Sequence, residues 1–239
     1  MANRFDSHLV SLTSPNSFAA EQYQGLRLTL ERIARSRGAQ VVAVSSPAAG
    51  EGKTVTAINL AGALARGSDA RVLLIDADLR RPSIAKNLGI EDGQTNGLAD
   101  IIADETLELT SGARQIDGFS IHVVPAGTPH PAIHKILRSP RLEHLLGEAR
   151  KEYDYVVIDT PPLLPVFDSS LLARVADGLL LVVAANQTPR KLLGEALNLV
   201  DPSKVMGIVF NRDDRPLFGY YDEYYREYFP DTSSVASQA

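Results

Sequence analysis

The chain has 239 residues, 44% of them hydrophobic, and 24 basic against 29 acidic side chains give a formal net charge of −5. A chain of this length buries about 70% of the surface that its unfolded form exposes, so we expect one globular domain. The absence of cysteine excludes disulfides and thiolate zinc sites. The negative charge gives no general attraction to nucleic-acid phosphates, so we expect no nucleic-acid partner.

The two ends of the chain differ from its middle. The first residues lack the apolar stretch of about 7–15 residues that a signal peptide needs, and no segment approaches the ~20 apolar residues of a membrane span. We therefore expect a cytoplasmic protein. Little hydrophobic periodicity is found in residues 1–16, which we predict to be a mobile N-terminus, and residues 213–239 form a tyrosine-rich tail after a folded domain over 17–212.

Short β-branched or Leu-rich runs alternate with helical periodicity from Gln40 onward, which is typical of β-α units in a mostly parallel sheet. The predicted strands are 41–45, 72–75, 120–124, 155–158, 178–183 and 205–210. The predicted helices are 18–36, 54–66, 97–103, 140–152, 169–175 and 189–200. Several strands are apolar throughout, as expected when helices cover both faces of a sheet. The pattern predicts an α/β fold with a doubly wound, mostly parallel sheet flanked by helices.

A candidate phosphate-binding loop follows the first predicted strand. The residues expected to contact a nucleotide are Ala49, Gly50, Glu51, Gly52, Lys53, Thr54 and Val55. Successive backbone N–H groups and the N-terminus of the following helix attract phosphates, and glycines let the backbone approach them closely. Lys53 would reach the β- and γ-phosphates, and Thr54 would coordinate Mg²⁺. The usual Gly-x-x-x-x-Gly-Lys-Thr pattern has a glycine where this chain has Pro47, so an ordinary glycine-rich turn is the alternative.

Three acids follow buried strands at places that favour a nucleotide site over a simple turn. Asp76 and Asp78 lie at the end of the second predicted strand, and Asp159 follows the fourth. Because ligands of open α/β sheets bind at the carboxyl ends of the strands, we expect these acids to converge on the loop. Mg²⁺ prefers oxygen ligands, so Thr54, Asp76 and Asp159 are its candidate ligands; a helix cap is the alternative for either acid taken singly. The sequence thus predicts ATP and Mg²⁺ as cofactors and a P-loop NTPase type of fold.

Three motifs together resemble the bacterial tyrosine kinases, the autokinases of capsule and exopolysaccharide systems. They are the loop, the paired acids followed by Arg80, and a strand that ends in Asp159-Thr160-Pro161-Pro162. The resemblance extends over residues 18–228. It implies that the folded domain phosphorylates tyrosine hydroxyls with ATP, through Lys53, Asp76 and Asp78 as catalytic residues. Either Asp76 or Asp78 would be the base.

The nearest relatives with a different function are the division-site and plasmid-partitioning ATPases, which act as ATP-gated assembly switches. Their loop carries an extra lysine at the position of Ala48, and its absence here favours the kinase interpretation. Asn211, after the last predicted strand, resembles the adenine-side position of the kinase family; a turn-forming asparagine is the alternative.

The resemblance also implies partners. The family's transmembrane polysaccharide co-polymerase, or activator, would be a separate chain that recruits this protein to the inner face of the membrane. A family helix with the pattern Glu-x-x-Arg-x-x-Arg packs against a neighbouring subunit, and this chain has Glu21, Gln24 and Arg27 at those places. A homo-oligomer through Glu21 and Arg27 is therefore expected, with a solvated amphipathic helix as the alternative.

The tail concentrates five of the eight tyrosines within nine residues: Tyr220, Tyr221, Tyr224, Tyr225 and Tyr228. Such a cluster resembles the one that the family phosphorylates, so these are the predicted phospho-acceptors. Four of them share the i, i+3, i+4, i+7 spacing of one helix face, and a docking helix is the alternative.

Other residues with chemical potential receive simpler interpretations. His130 and His134 have Pro131 between them and no metalloprotease glutamate, so we expect surface-loop histidines rather than a zinc site. Asp168 precedes a predicted helix and is interpreted as its cap.

Overall fold

The computed structural model describes residues 5–67, 70–90 and 96–213. The strands are β1 Val41–Ser45, β2 Val72–Asp76, β3 Arg114–Gln115, β4 Ile121–Val124, β5 Tyr155–Asp159, β6 Gly178–Ala184 and β7 Val205–Asn211. The helices are α1 Val10–Thr13, α2 Phe18–Arg37, α3 Lys53–Gly67, α4 Ile84–Asn87, α5 Leu98–Ala103, α6 Leu109–Gly112, α7 Ile133–Leu137, α8 Pro140–Glu152, α9 Asp168–Val175 and α10 Arg190–Leu197. A 3-10 turn, Pro202–Lys204, precedes β7.

All seven strands form one sheet in the order β3-β4-β2-β5-β1-β6-β7. Every neighbouring pair is parallel except β3 and β4, which pair antiparallel over two residues. The predicted doubly wound α/β fold is confirmed, and the six predicted strands and six predicted helices are all present, with ends shifted by at most three residues. The sequence pattern did not reveal α1, α4, α6, α7 or β3, each only two to five residues long.

The core lies on both faces of the sheet, as the continuous apolar strands predict. Along β1, Val41 and Ala43 face one layer, which also contains Leu145 of α8 and Leu172 of α9. Val42 and Val44 face the other layer, which contains side chains of α2 and α3 such as Leu30 and Leu60. No helix among the residues that the structure describes is long and apolar enough to span a membrane.

The prediction of a mobile N-terminus is wrong for residues 5–16. Leu9 is fully buried and packs with Leu12 in the α2 and α3 layer. The backbone N–H of Ser11 donates to Asn59 Oδ1 of α3 over 2.8 Å, and Asp6 N donates to Asn87 O over 2.9 Å. Two apolar residues at i and i+3, Leu9 and Leu12, are too few to reveal a helical period in the sequence.

Candidate nucleotide-binding site

The loop between β1 and α3 depends on two glycines in left-handed backbone. Gly50 has φ 83° and Gly52 has φ 88°, a region that side-chain-bearing residues avoid. A Cβ at Gly52 would also collide with the amide of Asn211. Pro47, in the place of the usual first glycine, is fixed at negative φ and its carbonyl accepts a hydrogen bond from Leu164 N over 3.3 Å. The backbone turn is therefore made at Gly50 and Gly52.

Lys53 begins α3 and lies between two carboxylates. Its Nζ is 3.0 Å from Asp78 Oδ2, 3.5 Å from Asp159 Oδ1 and 3.4 Å from Thr54 Oγ1. Burial acts to lower the pKa of Lys53, but the charges of Asp159, Asp78 and Asp76 outweigh it and raise the pKa above its ordinary value. Lys53 is thus a buried cation at the end of the loop, where α3 begins.

Asp159 ends β5 and is completely buried. Its Oδ2 accepts a hydrogen bond from Thr54 Oγ1 over 2.6 Å, whereas its Oδ1 has no hydrogen-bond partner among the described residues. Burial raises the pKa of Asp159 to about 7, although Lys53 and Thr54 act in the opposite direction. A buried carboxylate oxygen that has an ion pair with Lys53 but no hydrogen bond, beside a threonine hydroxyl, fits a Mg²⁺ ion held by Thr54 and supported by Asp159.

Asp76 ends β2 beside Asp159, its partner in the sheet register. Its Oδ2 accepts hydrogen bonds from Ser83 N and Ile84 N, each over 3.0 Å, and its Oδ1 accepts one from Asp78 N over 3.2 Å. Burial raises the pKa of Asp76 to about 6, and the bonds from Ile84 and Ser83 offset part of that rise. These contacts match the helix-cap alternative for Asp76, because the carboxylate binds the start of α4.

A cavity of about 760 Å³ opens at the carboxyl ends of the strands, within the range of about 300–1,000 Å³ typical of ligand sites. The polar residues that line it include Lys53, Thr54, Asp78, Arg80, Arg81 and Arg212. Asp76 and Asp159 lie behind this lining. Asp78 is thus the acid of the predicted pair that faces the cavity.

The described residues contain no group of three or more His, Cys, Asp or Glu side chains arranged to hold a metal by themselves. A magnesium ion here would therefore depend on phosphate oxygens and water beside Thr54, which is how Mg²⁺ usually binds with nucleotides.

The side chain of Asn211 joins the last strand to the loop. Asn211 is the final residue of β7, and its Nδ2 donates to Glu51 O over 2.9 Å. The turn-forming alternative for Asn211 is therefore wrong. The Glu51 carboxylate accepts a hydrogen bond from Thr188 Oγ1 over 2.9 Å, and burial raises the pKa of Glu51 despite this contact. Nothing in the sequence pattern indicated the Thr188 contact.

Asp168 does not cap α9, so that prediction is wrong. Phe167 occupies the N-cap position, and the fully buried Asp168 pairs instead with Arg80 Nε over 2.6 Å and with His134 Nδ1 over 2.9 Å. His134 is on the surface as predicted, with its side chain 58% exposed, but it belongs to α7 rather than to a loop. The arginine of the acid motif is thus held by a residue 88 positions away.

The α2 motif is paired within its own chain. Arg27 Nε donates to Gln24 Oε1 over 2.9 Å, and Arg27 Nη1 contacts Glu31 Oε1 over 2.8 Å. Glu21 is exposed. The five tail tyrosines lie outside the described residues.

The AAA domain family matches residues 39–202. The tyrosine-protein kinase YwqD of Bacillus subtilis (strain 168) is 33% identical over 226 residues, which cover 92% of this chain and 93% of YwqD. The succinoglycan biosynthesis transport protein ExoP of Rhizobium meliloti (strain 1021) is 32% identical, but the matched region spans only 28% of ExoP. The crystal structure of the VpsO kinase domain is 31% identical with a TM-score of 0.69, covering 82% of this chain and 99% of that one. A ParA family ATPase from Chlorobium tepidum TLS, 21% identical with a TM-score of 0.61 and 80% of each chain covered, shares the fold.

Proposed function

Since the chain belongs to the AAA domain family and, within it, to the bacterial tyrosine-protein kinases, we propose that it transfers the γ-phosphoryl group of ATP to tyrosine hydroxyls, its own included. One observation carries the proposal: Lys53, Thr54, Asp78 and Asp159 converge at the carboxyl ends of β1, β2 and β5. The acids of two strands and the cation of the loop are then within reach of one phosphate group.

Phosphoryl transfer requires positioning and charge neutralisation more than covalent chemistry. The backbone amides of the loop bind the phosphates, and the Lys53 ammonium leaves Asp78 to follow the γ-phosphate. When bound, Mg²⁺ neutralises phosphate charge. Thr54 would hold the ion, and Asp159 would support it through its hydrogen bond with the Thr54 hydroxyl.

Asp78 is the base that the geometry favours, because it faces the cavity and Asp76 does not. As the tyrosine oxygen bonds to the γ-phosphorus, the bond to the β–γ bridging oxygen breaks, and Asp78 accepts the phenolic proton. Asp76 supports this step by holding Asp78 N and the start of α4.

The proposed acceptors are Tyr220, Tyr221, Tyr224, Tyr225 and Tyr228. The proposed role is control of capsule or exopolysaccharide synthesis or export, and the proposed partner is a separate transmembrane co-polymerase or activator that brings this chain to the inner face of the membrane. Support comes from ExoP, a transport protein for succinoglycan biosynthesis of which this chain matches 28%. Assembly through α2 would use Glu21, since Arg27 is already paired inside the chain.

The test is incubation of the purified protein with ATP and Mg²⁺, followed by mass spectrometry for phosphotyrosine. Lys53→Met should abolish the product, while the protein without nucleotide still unfolds in a cooperative thermal transition, at a lower midpoint because Asp78 and Asp159 lose their cation. Lys151→Gln is the charge-matched control, because Lys151 is in the last turn of α8, near the start of β5, whereas the site is at the carboxyl end of that strand. A wild-type level of phosphotyrosine in Lys53→Met would reject the site, and ATP-dependent assembly without any phosphotyrosine would favour a partitioning-type switch.

A further inference from the structure

Two adjacent arginines line the same cavity but differ in what holds their side chains. Arg80 is bound through Nε to the buried carboxylate of Asp168 over 2.6 Å, so its charge is paired. Arg81 is exposed, and no ion pair of its guanidinium occurs within residues 5–67, 70–90 and 96–213. Of the two, Arg81 is the cation with charge to offer an incoming molecule.

The backbone of Arg81 is fixed although its side chain is exposed. Arg81 N donates to Asp78 Oδ1 over 3.0 Å and to Asp78 O over 3.2 Å, which closes a turn. The other oxygen of the same carboxylate binds Lys53 Nζ over 3.0 Å. Pro82 follows and restricts Arg81 further. The carboxylate of Asp78 therefore contacts both the Lys53 ammonium and the backbone N–H of Arg81.

Part of the cavity wall is apolar. Pro161, Pro162, Pro165 and Val166 line it, and Phe167 next to them is 70% exposed. Such a surface suits a tyrosine ring, which has an apolar body and a polar hydroxyl. The cavity thus combines an apolar wall for the acceptor ring with the exposed Arg81 cation for the residues beside the acceptor tyrosine.

We propose that Arg81 determines acceptor specificity by binding Asp or Glu side chains next to the acceptor tyrosine. The inference rests on the proposed kinase function and names its substrate class, tyrosines in acidic sequence. An acidic peptide is repelled by the phosphates of ATP, and an exposed arginine beside them offsets that repulsion. The chain carries such a sequence, because Asp222, Glu223 and Glu227 are interleaved with the five tail tyrosines.

The experiment uses the full chain and two synthetic peptides: residues 219–228, and a copy with Asn or Gln in place of Asp222, Glu223 and Glu227. At low ionic strength the wild type should phosphorylate the acidic peptide with a kcat/KM about fivefold higher than that for the copy without the acidic residues. This ratio corresponds to the free energy of one exposed ion pair at the upper end of its usual range. The preference should shrink at high salt. Arg81→Gln should remove it and leave the KM for ATP unchanged, whereas the charge-matched Lys151→Gln should retain it.

Three results distinguish a failure of the role of Arg81 from a failure of the kinase function. Equal use of both peptides by the wild type, or an acidic preference that survives in Arg81→Gln, overturns the role of Arg81 and leaves the kinase function intact. A defect of Arg81→Gln confined to the KM for ATP assigns Arg81 to the nucleotide and also overturns the inference. Phosphorylation of neither peptide nor the chain itself by the wild type rejects the proposed function.

Discussion

Replacing Asp159 by Asn should stabilise the protein without nucleotide while removing its response to Mg²⁺ and ATP. The folded chain keeps this carboxyl completely buried, and burial raises its pKa to about 7 against an ordinary value of 3.8. A carboxyl with a raised pKa binds its proton more tightly in the folded chain than in the unfolded chain. Its contribution to the free energy of unfolding therefore falls as the pH rises from about 4 to about 7, and stays low above that.

The size of the effect follows from the same numbers. At 1.36 kcal/mol per pH unit, a pKa of about 7 instead of 3.8 corresponds to on the order of 4 kcal/mol of lost stability above pH 7. Asn recovers only part of this lost stability. Its amide oxygen still accepts the hydrogen bond from Thr54, but its N–H group points toward the cation of Lys53, whose Nζ lies 3.5 Å from Asp159 Oδ1 in the wild type. We expect a net gain of about 1–3 kcal/mol, or a melting temperature on the order of 5 °C higher.

The assay is thermal unfolding at pH 8 and pH 5, with and without Mg²⁺ and ATP. The gain should be present at pH 8 and nearly absent at pH 5, where Asp159 of the wild type is protonated. Asp177→Asn is the matched control: burial acts to raise the pKa of Asp177, but Arg150 and the N–H groups of Val41 and Gln40 hold it below its ordinary value. That variant should be destabilised at pH 8. An Asp159→Asn protein that is less stable than the wild type at pH 8, or equally shifted at both pH values, would refute the reasoning.

Asn211→Ala should raise the KM for ATP about fivefold, since one hydrogen bond of about 1 kcal/mol that holds the loop is lost; an unchanged KM would show that the contact is not needed. A double-mutant cycle of Asp168→Asn and Arg80→Gln, measured by urea unfolding, should give a coupling energy of about 1–3 kcal/mol, and additive effects would contradict a specific pair. Leu9→Ala should cost about 2–5 kcal/mol of unfolding free energy and Leu28→Ala, 57% exposed, less than about 0.5; equal costs would argue against a packed N-terminal segment.

Several side-chain pairs around the site could not be predicted from the sequence. Asp168 has the ordinary position of a helix cap, but α7 and α9 pack so that it meets Arg80 and His134 instead. Glu51 meets Thr188 across 137 positions, and among the described residues Arg80 has an ion-pair partner whereas the guanidinium of Arg81 has none. Side-chain pairs of this kind depend on how helices and loops pack, and no periodicity or spacing records that.

The sequence by itself determined the layered fold, the loop and the family resemblance, because each depends on local pattern. Apolar runs define buried strands, glycines at Gly50 and Gly52 permit the left-handed turn, and parallel strands must end at one edge of the sheet. The convergence of Asp76, Asp78 and Asp159 follows from that last rule and is observed. Only the tertiary structure decided which acid faces the cavity: the N–H groups of Ser83 and Ile84 turn Asp76 toward α4, and Asp78 remains beside Lys53.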